Sequence, residues 1–118
     1  MNSADDYALR IASLNGHLDV VKCLISHGSN IHTNNDEALR WASKNGHLAV
    51  VEYFIMNGAD IHAADDYALV EASENGHTAI VKYLEDYIEN KKKRSKEIEE
   101  LQAMLLVVQT KLNELIQQ

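Results

Sequence analysis

The stretch SLNGHLDVVKCLISHG at Ser13 to Gly28 returns as SKNGHLAVVEYFIMNG at Ser43 to Gly58, and its first half returns as SENGHTAIVKYL at Ser73 to Leu84. Gly16, Gly46 and Gly76 set the interval at 30 residues. A repeat of that length constrains the fold more than any other feature of the chain. Each unit is too small to bury its own apolar face and must stack on its neighbours as a solenoid. Within one unit, Leu9, Ala12 and Ser13 fall at i, i+3, i+4 and mark one face of a short first helix. Asp5 and Asp6 are placed ahead of it, where carboxylates cap free N–H groups and meet the positive end of the helix dipole. Asn15-Gly16 ends that helix, because glycine takes the left-handed conformation without a Cβ clash. Leu18, Val21, Leu24 and Ile25 give a second helix closed by Gly28. SNIHTNN follows as a polar loop anchored by Ile31, and the next unit opens at Asn35.

Helix, tight turn, helix and extended loop, written as ALRIAS, NGHLDVV and LISHGSNIH and their later counterparts, resemble the ankyrin repeat over residues 5 to about 88. The resemblance implies an all-α, ankyrin-type helical solenoid of three repeats (5–34, 35–64 and 65–88, within a repeat domain 1–88). It also implies a concave groove, lined by the first helices and loop tips, that holds protein partners. The chain departs from the family in three ways. Tyr7-Ala8-Leu9-Arg10 replaces the Thr-Pro-Leu-His opening, proline is absent, and the unit falls short of the usual length of about 33 residues. The projecting loops should therefore be short. Shortened units of this kind are similar in style to ankyrin arrays of large amoeba-infecting viruses.

Comparison of the three copies separates scaffold from surface. Ala8, Leu9, Ala12, Ser13, Asn15, Gly16, His17, Val21 and Ile31 keep their identity wherever a counterpart exists. Tyr7, Ile11 and Leu14 change instead, to Glu37, Trp41 and Lys44 and then to Tyr67, Glu71 and Glu74. Spaced i, i+4, i+7, they form one stripe on the helix face away from Leu9 and Ala12. A variable stripe on a constant support is what a modular binding surface needs. Trp41 is the candidate anchor, since aromatic side chains dominate interface energetics; packing between neighbouring repeats is its alternative use. Glu71 and Glu74, beside Asp65 and Asp66, make the third repeat acidic. With a net charge of −7 the expected partner is a protein with a basic segment, and nucleic acid is disfavoured.

Nothing in the sequence spells a catalytic, metal or cofactor site. Five of the six histidines occupy two repeat positions (His17, His47 and His77; His32 and His62), where bonding to turn and loop backbone is the expected role. Cys23 is expected on the buried side of its helix as an inert core residue. One cysteine makes no internal disulfide, no apolar run is long enough to span a membrane, and MNSADDYALR has no features of a leader. A cytoplasmic protein is expected. The Lys91–Lys96 run resembles a nuclear-import signal, although a charged helical linker has the same composition, and DNA binding through it would require steep salt dependence.

The repetition stops where Ile88 replaces the glycine of Gly28 and Gly58. No glycine or proline follows His77, so a single helix from about Thr78 to Gln117, roughly 60 Å long, is expected. After a charged linker at 89–97, residues 98–118 read as a coiled-coil oligomerisation helix. Ile98, Leu101, Leu105, Val108, Leu112 and Leu115 alternate steps of three and four as a and d positions. Leucine at a, a branched residue at d, and the added width from Met104, Leu106, Val107 and Ile116 point to a homo-oligomer of three or four strands. The alternative is a break near Ser95 and Glu97, with the last segment folded back as a cap on the solenoid. A purely architectural role, with the coiled coil as the working part, also remains open.

Overall fold

The computed structural model describes the backbone of residues 3–118 and the side chains from residue 6 onward. Six helices follow one another: α1 (Ser3–Leu14), α2 (Leu18–Ser26), α3 (Thr33–Lys44), α4 (Leu48–Met56), α5 (Ala63–Glu74) and α6 (Thr78–Ile116). No strand occurs among the described residues. The fold is the all-α solenoid expected from the repeat, with a long C-terminal helix.

In each repeat a glycine with positive φ, Gly16, Gly46 or Gly76, lies in the turn between the first helix and the second. First helices pack on first helices, α1 on α3 and α3 on α5, while α2 packs on α4. The core is the repeated apolar set: Leu9 and Leu39, Ala12, Ala42 and Ala72, Val21 and Val51, Val50 and Ile80, Phe54 and Leu84 are all buried. Ser13 and Ser43 are buried too, and each hydroxyl donates to the carbonyl four residues back, Leu9 (2.7 Å) and Leu39 (2.8 Å). A small hydroxyl satisfied within its own helix lets the next repeat come close.

The short loops contain the only non-glycine residues with positive φ among the described residues. Asn34, Asn35 and Asp36 all have φ between +53° and +57°, and Ala64, Asp65 and Asp66 between +54° and +62°. Three successive left-handed residues cost about 1–2 kcal/mol each, a cost reduced where Asn or Asp supplies the side chain. The turns are held from both ends. Asn30 Oδ1 accepts the His32 N–H and Asp60 Oδ1 the His62 N–H, both at 2.9 Å. The Asp36 and Asp66 N–H groups then donate to the His32 and His62 carbonyls (3.3 and 3.2 Å). This left-handed turn leads from loop to helix, and only after it do right-handed α3 and α5 begin in earnest.

Two local expectations are corrected. Asp6 does not precede α1 but lies inside it, because the helix starts at Ser3; its carboxylate accepts from Thr33 Oγ (3.3 Å) in the next repeat. The Asp5 side chain lies outside the described residues. Cys23 is exposed, not buried. Val21, Leu24 and Ile25 take the inward positions of α2 and leave residue 23 on the outer flank, as the half-buried counterpart Tyr53 shows.

Residues up to Leu84 form one compact unit and Glu85–Gln118 another, with the division inside α6. In the second unit the helix passes Ser95 without interruption. No separate helix begins there.

Candidate protein-binding surface

The nine stripe residues occupy matching positions on α1, α3 and α5. None of them is buried: Tyr7 and Glu74 are exposed, and Ile11, Leu14, Glu37, Trp41, Lys44, Tyr67 and Glu71 are half-buried. Beneath them Ala12, Ala42 and Ala72 are buried, so the stripe rides on the core. Trp41 is half-buried, and the Lys44 ammonium stands 5.1 Å over its ring, attracted by the negative face of the indole. Tyr7 carries Arg10 over its ring in the same way, at 5.1 Å.

Arg40 is the residue that sequence reasoning missed. Its guanidinium lies 5.1 Å over the Tyr67 ring of the next repeat, while Nη2 and Nε donate to the Asn34 (2.8 Å) and Asn35 (3.1 Å) carbonyls. One side chain therefore anchors a left-handed turn and orients an aromatic of the stripe. The available signal was an arginine repeated at positions 10 and 40, next to the Ala-Leu pair. Glu71 is oriented as well, its Oε2 accepting from the Asn75 amide at 3.3 Å. With Glu74, Asp65 and Asp66 exposed nearby in sequence, the third repeat presents carboxylates that basic side chains can meet.

The histidines divide by position. His47 Nε2 donates to the Leu14 carbonyl (2.8 Å) and His77 Nε2 to the Lys44 carbonyl (2.9 Å). Each ring satisfies a carbonyl left unpaired at the end of the previous repeat's first helix. These two meet the expectation of backbone bonding. His32 and His62 do not: their Nδ1 atoms pair with the Asp36 and Asp66 carboxylates four residues on. The left-handed turn brings the carboxylate back over the imidazole, a closeness that residue spacing alone did not reveal. Asp36 also accepts the Asp60 N–H of the following loop, so this buried carboxylate joins two repeats. Among the described residues no group of three or more His, Cys, Asp or Glu side chains is placed to hold a metal ion, and no helix is long and apolar enough to cross a membrane.

A family model described as ankyrin repeats (3 copies) matches residues 1–65. The chain belongs to the ankyrin repeat family. No curated protein matches it closely enough to count as a relative. Ankyrin repeats are generally protein-protein interaction modules and typically non-catalytic. In this ankyrin array the stripe runs along α1, α3 and α5, the first helices of the three repeats. The heptad positions lie elsewhere, on α6, where Ile98, Leu101, Leu105, Val108, Leu112 and Leu115 are all exposed, by 51% to 65%. Lys91, Lys92, Lys93, Arg94 and Lys96 are exposed on the same helix.

Proposed function

We propose that the ankyrin repeats bind a protein partner along the stripe Tyr7, Ile11, Leu14, Glu37, Trp41, Lys44, Tyr67, Glu71 and Glu74. The partner's contacting segment carries Lys or Arg. We further propose that α6 assembles three or four copies through Ile98, Leu101, Leu105, Val108, Leu112 and Leu115, so that avidity raises the apparent affinity. The supporting observation is the contrast on one set of helices: accessible, variable side chains above an invariant buried support. Half-buried Trp41 and Tyr67 supply apolar area, and the carboxylates of α5 supply charge.

The test is selection of binding segments from a random peptide library against the full chain, followed by Trp41→Ala, Tyr67→Ala and Glu71→Ala in combination. Lys- or Arg-containing segments are expected, with affinity falling at least about tenfold in the triple variant while helicity and solution mass stay unchanged. Segments that bind the triple variant equally well refute the groove. A second reading, in which α6 is the working part of an architectural oligomer, draws on the continuous exposed apolar series from Ile98 to Ile116. It predicts no selectable groove ligand.

A further inference from the structure

Inside the chain the same interface is made twice, and each end displays one half of it. On the side of a repeat that faces its predecessor, the second repeat buries Ala38, Val50 and Phe54 and the third buries Ala68, Ile80 and Leu84. The first-repeat counterparts Ala8 and Leu24 are only half-buried, and Val20 is 47% exposed. On the side that faces a successor, Ser13 and Ser43 are 0% exposed, as are Val21 and Val51. In the third repeat Ser73 is exposed and Val81 half-buried.

The polar seat repeats the pattern. A Cβ built on Gly16 would strike the His47 ring at 2.4 Å, and one on Gly46 the His77 ring at 2.7 Å, so each glycine is the floor on which the next histidine rests. At Gly76 nothing lies within 4 Å. Among the described residues the Glu74 carbonyl, counterpart of the Leu14 and Lys44 acceptors, receives no such ring. Conversely His17 is exposed, and its ring pairs with nothing among the described residues. One end holds an unused imidazole donor beside exposed Val20; the other holds an unused glycine floor, a carbonyl acceptor and a serine small enough to be covered.

We infer that the first repeat of one copy stacks on the third repeat of a second copy, with His17 seated over Gly76 and donating to the Glu74 carbonyl. The occupant is a second copy of this chain because the two surfaces are the halves of an interface already present twice in each molecule, and stacking continues that interface with its own residues. The contact is heterologous, joining different surfaces of the two copies, and so propagates head to tail. It is independent of the α6 assembly proposed above, which uses other residues.

The experiment uses the full chain carrying Leu105→Lys and Leu112→Lys, which removes α6 as a source of association. In that background the solution mass is expected to rise with concentration. Val20→Lys blocks the first-repeat half and Ser73→Lys the third-repeat half; both positions are exposed in the isolated chain, and unchanged helicity verifies folding. Each variant alone should be a monomer. Mixed together they should form a one-to-one dimer that grows no further, because each supplies the half the other lacks. His17→Ala, a gentler change, should weaken association about tenfold. A background chain that stays monomeric overturns the inference, as does a mixture that stays monomeric. It is equally overturned if either single variant associates as strongly as its background.

Discussion

Gly46 and Gly76 share a repeat position and nearly the same backbone, φ +81° and +76°, yet their surroundings differ. Gly46→Ala incurs both the left-handed penalty and displacement of the His77 ring from the Lys44 carbonyl; Gly76→Ala incurs the first alone. The expected loss of stability is about 1 kcal/mol at Gly76 and about 2–4 kcal/mol at Gly46, read from urea midpoints. Equal losses would show that the ring does not rest on the glycine. Asp36 and Asp66 form a second matched pair. Asp36 is 3% exposed and holds His32 and the Asp60 N–H, whereas Asp66 is exposed and holds His62 alone. Asp36→Ala should cost about 1–3 kcal/mol by leaving a part-buried N–H unpaired, and Asp66→Ala about 0.5 kcal/mol or less. A larger effect at Asp66 would contradict the ladder of loop contacts.

At the scale of elements, the left-handed turns and α6 each solve a problem of length. Folding three residues into a left-handed turn takes the chain from loop to next helix in a short space, which is how a 30-residue unit still completes its stack. Ala64 is the weak member, since alanine lacks the polar side chain that eases this conformation. Ala64→Gly should raise stability by up to about 1 kcal/mol, and an unchanged or lower urea midpoint would show that the turn is not strained there. The second unit poses the opposite case, a helix whose apolar series from Ile98 to Ile116 is exposed throughout. Isolated helices gain little stability from propensity alone. If packing between copies sustains this segment, helicity at 222 nm should fall on dilution in step with solution mass, and Leu105→Lys with Leu112→Lys should lower both. Helicity that holds constant while the mass drops to a monomer would mean the segment is helical without partners.

For the whole molecule the repeats behave as a short stack whose stability is a sum of units and interfaces. Phe54 is fully buried in the middle repeat, on the side that faces the first repeat. Phe54→Ala, expected to cost about 3–5 kcal/mol, should unfold all three repeats together in one transition seen by thermal circular dichroism. Separate transitions for the outer repeats would reveal that they fold without the centre. Ligand binding at the acidic third repeat should weaken as salt rises, whereas association through the apolar face of α6 should not.

Much of this arrangement was legible along the chain. The 30-residue interval, the Asn-Gly stops and the i, i+3, i+4 faces of Leu9, Ala12, Leu39 and Ala42 determined a helical solenoid, and the missing glycine at Ile88 determined that the last helix runs on. Those signals are local: they rest on periodicity and on what glycine alone can do. The tertiary structure decided what depends on contacts between repeats. Cys23 faces outward although its helix is apolar, because inward room on α2 goes to Val21. Arg40 reaches from one turn to the next repeat's Tyr67, and His32 turns to Asp36 because three residues reverse their handedness. Identical sequence also acquires different burial by position, as Ser43 and Ser73 do. A residue's exposure in a solenoid is set by the neighbour stacked on it, and only the assembled stack holds that information.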